Sequence, residues 1–391
     1  MNFDFDDDQK IIQSEIRRFL EDRAPIERVR EVLDGKLPFQ EALWRELGAM
    51  GFTGAAIPEA EGGSGLGYLE LCLIAEELGR SLAAVPFAST VYLAAELIKA
   101  EGDEAQRARW LPRIATATTI GCLAVTEHSG RSDFSRLQCR YQDGTLTGVK
   151  HPVSDGDIAD FAIVLAADGD ADGKPSLFLV ELTGAGVARV SLTSIDPTRA
   201  IARISFADAG AVRLGPAGDG LRILDEVYDK AAVLMAFEQI GGADRSLWMA
   251  RDYSLERYAF GQPIGSFQAM KHLMADMYAS ATLARSNAYY GAWALSTGAA
   301  ELPLAAAYAR VSATRAYQFC ASNCIQIHGG MGFTWEFDCH LHYRRANFLS
   351  LQCGTPTEWD RRLIARLDRV GGPAGAIGSG EPSHLGSKEA A

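Results

Sequence analysis

The sequence contains no run of 18 apolar residues, so none of its helices is expected to span a membrane. Nor does it have a basic excess. Its 38 Lys and Arg face 50 Asp and Glu, and the net charge of −12 argues against sequence-independent nucleic-acid binding through a basic face. An anionic ligand must then be held by a few local positive groups. The seven cysteines (72, 122, 139, 320, 324, 339 and 353) are odd in number and scattered, with no CxxC. Cys320 and Cys324 stand one helical turn apart, but no His or Cys pair nearby completes the ligand set that structural zinc requires, and no metal is expected. Reduced, mostly buried thiols in a cytoplasmic protein are the expectation. The N-terminal MNFDFDDDQKIIQSEIRRFL is acidic and amphipathic and lacks the basic segment and apolar core of a secretory signal. The glycine-rich PEAEGGSGLG has neither a preceding strand nor a Lys-Ser/Thr ending, so it reads as a connection and not as a phosphate cradle.

What is present is a chain of 391 residues, 48% hydrophobic, enough for two or three structural units around a large core. Residues 1–120 carry helical periodicity: FQEALWRELGAMGF places Leu43, Leu47 and Met50 on one face. YLELCLIAEELGRSLAAVPFASTVYLAAELI predicts a helix, a break near Val85-Pro86 and a second helix. From 121 to 220 the pattern becomes short runs rich in Val, Ile, Leu and Phe, separated by DG, DGDADGKP and TGAG turn signals. CRYQDGTLTGV predicts a hairpin with Asp143-Gly144 at its turn, in a small antiparallel β domain. From 221 to 370 long helical patterns return, with many Ala and Gly positions that permit close helix approach. The Gly/Ser/Pro-rich residues 371–391 predict a mobile tail.

Four stretches resemble the acyl-CoA dehydrogenase family: AVTEHSGRSD (124–133), RYAFGQPIGSFQAMKHLMADM (257–277), IQIHGGMGFTWEFD (325–338) and the closing GTPTEWDRRLIA. The resemblance implies a mainly α fold with a central β domain: an N-terminal helical domain, an antiparallel barrel-like middle domain and a C-terminal four-helix bundle. It implies FAD held between the β domain and the bundle, in a dimer or tetramer whose neighbouring subunit completes the FAD site. The implied reaction removes a proton beside a thioester carbonyl and passes a hydride from the next carbon to the flavin. A base must then sit within reach, and hydrogen bonds must stabilise the charge that develops on the thioester oxygen. By the resemblance, Leu123, Val125 and Thr126 line the flavin, and Gly130 and Ser132 lie toward the acyl-CoA. GVKHPVSDG matches a further flavin-contacting strand, with Ser154 as the hydroxyl; Pro152 departs from the pattern by replacing an aromatic that usually covers the ring. Arg257, Phe260 and Gln268, with Gln326, Gly329 and Gly330, match residues that reach a neighbour's FAD, and Thr355 belongs to the same cofactor set. Taken singly, RxxFG also reads as a helix end and HGG as a C-cap turn.

One residue of that pattern is missing. Many members have a Glu as base directly before the Gly-Thr found here at 354–355, and this chain has Cys353. An ordinary cysteine leaves little thiolate at neutral pH, so Cys353 reads as a pocket-lining residue whose backbone N–H holds the thioester oxygen. A second family location for the base is matched by Ala231, which is also empty. Seven residues on, along the same helix face, stands Glu238, the lone acid of an apolar stretch with Leu234, Met235 and Phe237 around it. Desolvation there would raise its pKa to a useful base strength. The alternative is a buried ion pair with Arg245 or Arg285.

The expected function is therefore FAD-dependent dehydrogenation of an acyl-CoA to the 2,3-enoyl-CoA, with electrons passed to an electron-transferring flavoprotein. The replaced Glu favours a dicarboxylyl, branched or steroid-derived substrate. Two rivals stand beside it: a site-completing subunit of a heterotetramer, and an oxidase or monooxygenase on the same scaffold.

Overall fold

The computed structural model describes residues 7–127 and 134–371. Gly130, Ser132 and the expected tail from 372 onward lie outside the described residues.

The chain opens with α1 (Asp7–Arg23), α2 (Ile26–Leu33), α3 (Glu41–Ala49) and α4 (Tyr68–Arg80). α4 stops short of Pro86, as predicted, and a π-helical stretch, Ala88–Ala95, then runs directly into α5 (Glu96–Glu101). α6 (Glu104–Ala115) starts with a capping box. There the Asp103 carboxylate accepts the Gln106 N–H at 2.7 Å, and Gln106 Oε1 accepts the Asp103 N–H at 3.0 Å.

Seven strands follow: β1 (Gly121–Ala124), β2 (Arg140–Gln142), β3 (Thr145–Ser154), β4 (Phe161–Asp168), β5 (Lys174–Glu181), β6 (Val187–Ser191) and β7 (Ile201–Leu214). Hydrogen-bonded neighbours run from β4 through β2, β3, β7 and β5 back to β4, which closes a ring. β1 lies beside β4 and β6 beside β7. The Asp-Gly hairpin forms as predicted: Gln142 faces Thr145, and Asp143 and Gly144 take φ of +49° and +84°. Two pairings, β1 with β4 and β2 with β4, are parallel. Parallel neighbours are joined by long connections and carry no local turn signal, so the sequence did not announce them.

The bundle consists of α7 (Gly220–Glu256), a hairpin of β8 (Tyr258–Ala259) and β9 (Gln262–Pro263), then α8 (Gln268–Thr297), α9 (Leu302–His328), α10 (Cys339–Ser350) and α11 (Pro356–Gly371). α7 is packed by α4, α8 and α9, and every residue from 231 to 243 is buried. The lack of a polar face over residues 231–243 follows from this position. Among the described residues no helix is long and apolar enough to cross a membrane.

Where α4 and α7 cross, backbone meets backbone. A Cβ on Gly79 would lie 1.8 Å from the Glu238 carbonyl oxygen, and one on Gly241 would lie 1.9 Å from the Glu76 carbonyl oxygen. Only glycine permits this approach, and it fixes the height of Glu238 against the N-terminal helices. Gly79→Ala should therefore cost about 3 kcal/mol through overpacking and lower the thermal midpoint by several degrees. Gly210→Ala, whose Cβ meets nothing within 4 Å, should leave the midpoint nearly unchanged. Differential scanning calorimetry of both variants checks this.

Candidate active site

The segment after β1 is tied to β3 by a buried cation. Lys150 is fully buried, and its ammonium donates to the Val125 carbonyl at 3.0 Å and to Glu127 Oε1 at 2.8 Å. Glu127 also accepts the backbone N–H of Gln138 and of Cys139, at 2.7 and 2.9 Å. Burial opposes the charge on Glu127, but these bonds win and hold its pKa below the usual carboxylate range. Burial pulls Lys150 the other way, below the usual ammonium range. The His151 N–H donates to the Thr126 carbonyl at 2.9 Å. Leu123, Val125 and Thr126 are thus held in one fixed strip.

At the end of β3, the Ser154 hydroxyl donates to Gln352 Oε1 at 2.8 Å and so joins the β domain to the turn after α10. That turn carries Cys353, half-buried at φ +55°, and Gly354 at φ +111°. The Trp359 indole N–H donates to the Cys353 carbonyl at 3.1 Å. Burial pushes the Cys353 thiol up to about 12, more than the guanidiniums of Arg310 and Arg362 draw it down. A thiol in that range stays protonated at neutral pH and is neither base nor nucleophile. Thr355 lies just beyond, and its hydroxyl serves the start of α11. Its N–H and Oγ1–H both reach Glu358 Oε2, at 2.7 and 3.0 Å, while the Glu358 N–H donates to Thr355 Oγ1 at 3.3 Å.

Glu238 is 2% exposed, but its surroundings differ from the apolar pocket expected. Its Oε1 lies 3.3 Å from Arg199 Nη1 and 3.8 Å from Arg345 Nη1. Arg345 also donates to Asp196 Oδ2 at 2.6 Å and to Thr198 Oγ1 at 2.9 Å, and it reaches the carbonyls of Leu82 and Ala83. The predicted alternatives are corrected as well: Arg285 pairs with Glu76 at 2.6 Å, and Arg245 has no ion pair with Glu238. The reason is tertiary. Arg199 precedes β7, and Arg345 sits on α10, far from α7 in sequence. The hydrogen bond from Arg199 falls on Oε1; among the described residues Oε2 makes no hydrogen bond.

A second group of expected residues gathers at the other end of the bundle. Arg257 caps the C-terminal end of α7, and the β8–β9 hairpin presents Phe260 at φ +55° and 95% exposed. Gln268 opens α8 on the surface. α9 ends at His328, whose ring stacks on Tyr253 at 4.1 Å; Gly329 follows at φ +59°. Tyr253, Ile264, Met270, Ile325 and Ile327 share one small core beneath the two segments. Added Cβ atoms on Gly329 or Gly330 would meet nothing within 4 Å, and Gln326 is exposed beside them. RxxFG and HGG are helix ends, and they are also neighbours.

Residues 6–118 match the model of the acyl-CoA dehydrogenase N-terminal domain, and residues 218–367 match that of the C-terminal domain. The chain is 32% identical over 340 residues to the acyl-CoA dehydrogenase IpdE2 of Mycobacterium tuberculosis, covering 87% of this chain and 91% of that protein. It belongs to the acyl-CoA dehydrogenase family. It is also 28% identical to a glutaryl-CoA dehydrogenase of Desulfococcus multivorans, over 95% of this chain and 98% of the relative. Its fold superposes on a chain of the ChsE4–ChsE5 complex from Mycobacterium tuberculosis with a TM-score of 0.85 at 26% identity, covering 96% and 100%. As a member of that family the chain is an oxidoreductase of acyl-CoA metabolism.

Several residues that shape the site were missed from sequence: Lys150, Asp196, Arg199, Arg310 and Arg345. The criterion that found Glu238, a lone charge in an apolar stretch, also marks Arg310 in LPLAAAYARVSAT. Asp229 was missed too. It is buried on α7 with Arg366 Nη2 2.8 Å from Oδ1, yet burial outweighs that cation and pushes it up to about 7.

Two outcomes follow. Arg345→Met leaves Asp196 without its cation and Glu238 with Arg199 alone, and should cost about 3–5 kcal/mol, read from denaturant unfolding. Asp229 has a folded pKa above its unfolded one. Between about pH 4 and 7 the folded chain keeps a proton that the unfolded chain has released, so its contribution is lost as pH rises. Asp229→Asn should accordingly gain stability relative to wild type between pH 5 and pH 8, measured as the difference in thermal midpoints.

Proposed function

We propose that this chain is an FAD-dependent acyl-CoA dehydrogenase that forms a 2,3-enoyl-CoA and delivers the electrons to an electron-transferring flavoprotein. The observation that carries the reading is the open glycine turn beside the Arg257 hairpin. Gly329 and Gly330 leave room for a ligand against the backbone, and the exposed Arg257 offers a guanidinium fork suited to a diphosphate. Phe260, Phe333 and Trp335, exposed at 95%, 83% and 61%, give that end an apolar surface to be covered. These residues fit one end of FAD, and Leu123, Val125, Thr126 and Ser154 fit the other. Because the two groups lie apart, the proposed site is shared between subunits of a dimer or tetramer. When bound, FAD supplies the hydride acceptor.

The chain's own contributions are orientation, a dry pocket and a base. The backbone N–H of Cys353 is proposed to hold the thioester oxygen, and Oε2 of Glu238, the oxygen that makes no hydrogen bond among the described residues, to take the α-proton. Gly130 and Ser132 remain the proposed acyl-CoA contacts. Loss of the usual Glu at 353 supports an acyl group other than a simple straight chain, and the glutaryl-CoA dehydrogenase likeness brings dicarboxylyl-CoAs into the panel. A cytoplasmic location is supported by seven free cysteines.

A second reading is favoured by the ionic contacts of Glu238 and the neutral thiol at Cys353: a subunit of a heterotetramer whose partner supplies the base. The likeness to the ChsE4–ChsE5 complex supports it. The test is anaerobic flavin reduction by a panel of acyl-CoAs, with wild type and Glu238→Gln compared at equal flavin content. Reduction about 100-fold slower in the variant, with KM little changed, is the expected result. Equal rates would exclude Glu238 as the base. Flavin retained only on co-expression with a related subunit would select the second reading.

A further inference from the structure

Arg310, on α9, is 1% exposed and has no carboxylate within 4 Å among the described residues. A buried cation without a counter-charge is costly, and burial accordingly lowers its pKa to about 10. Its position is held by oxygen dipoles instead. Nη2 donates to the carbonyls of Leu349 and Gln352, at 2.5 and 2.8 Å, and Nη1 donates to Gln239 Oε1 at 2.8 Å. The Leu349 carbonyl lies at the C-terminal end of α10, where the helix dipole is negative, and the Gln352 carbonyl lies in the turn just after it. Gln239 follows Glu238 on α7, and its amide N–H donates to Thr314 Oγ1 at 3.1 Å. One guanidinium thus spans the turn that carries Cys353 and the helix that carries Glu238.

That turn needs a clamp. Cys353 takes a left-handed φ of +55°, a conformation costly for a side chain with a Cβ, and Gly354 follows at +111°. Ser154 holds it through the Gln352 side chain and Trp359 through the Cys353 carbonyl. Arg310 holds the backbone on the inner side.

We propose that Arg310 is a positioning residue of the active site: it fixes the Gln352–Cys353 backbone against α7, and its charge, unmatched by a carboxylate, favours an anionic thioester enolate at that turn. The inference rests on reading this turn as the thioester site. A lysine at 310 keeps the charge but cannot bridge two carbonyls and an amide together; a methionine loses both.

The experiment uses the FAD-loaded protein, with Arg310→Lys and Arg310→Met, and acetoacetyl-CoA as the probe. Its enolate fraction is read from ultraviolet absorbance, alongside steady-state kinetics with the best acyl-CoA of the panel. Arg310→Met should lower kcat about 100-fold, with KM changed far less, and should lower the bound enolate fraction at pH 7 about tenfold. Arg310→Lys should recover most of the enolate fraction but not of kcat, which separates charge from geometry. Thermal midpoint and flavin content of both variants identify any folding loss; if Arg310→Met does not fold, the lysine variant decides. Unchanged enolate fraction and kcat in the folded variants would overturn the inference while leaving the function intact. A wild type that holds FAD but binds acetoacetyl-CoA without forming enolate would overturn the reading of the turn, and the inference with it.

Discussion

Two guanidiniums and two carboxylates buried at one junction are the constraint on which the rest of this molecule depends. Arg345 from α10 meets Asp196 from the loop before β7, and Arg199 from the same loop meets Glu238 from α7. Arg345 also takes the carbonyls of Leu82 and Ala83 after α4. All three layers of the fold are thereby tied within a few ångströms. Ions so deeply buried are expensive, and apolar residues of equal volume often stabilise as well. Charges differ from apolar contacts in what they forbid: a shift of one layer by a single turn strands a charge without its partner. The junction is therefore better understood as a device for registering three domains than as a source of net stability.

Registration matters because the elements around the site are each carried by a different layer. The flavin-facing strip of the proposal belongs to β1 and β3, the turn with Cys353 to the end of α10, and Glu238 to α7. Small errors in their relative placement act on chemistry more strongly than on stability, since reacting atoms must meet within a narrow range of geometry. The glycine contacts at Gly79 and Gly241 serve the same end from another direction. They let α4 and α7 touch backbone to backbone and so remove the slack that side chains would introduce.

What could be read from sequence was whatever is local. The Asp143-Gly144 hairpin, the break before Pro86 and the long Ala-rich helices each carry their cause within a few residues, and each is found. The burial of Glu238 was also legible, because an acid alone in an apolar helix has few other places to be. Its partners were not. Arg199 lies 39 residues away and Arg345 farther still, and no periodicity links them. Arg245 lies seven residues along the same helix and Arg285 on another helix of the bundle, but tertiary packing brings Arg199 and Arg345 to Glu238 instead. The parallel pairings of β4 were hidden for the same reason.

The exchange of carboxylate for thiol at 353 acquires a physical meaning in this setting. Arg310 stands close enough to the turn for its charge to act on the Cys353 thiol, and the carboxylate of Glu238 acts in turn on Arg310. A carboxylate at 353 would have neutralised Arg310 directly. With cysteine there, the negative charge in the field of Arg310 resides on α7, one residue before the Gln239 that Arg310 grips. On the proposed reading the acid stands on a rigid helix and not on the strained turn, and a cation faces the turn. With Glu238 and Asp196 already paired to Arg199 and Arg345, Arg310 leaves the turn electropositive, which is the condition the proposed enolate would need.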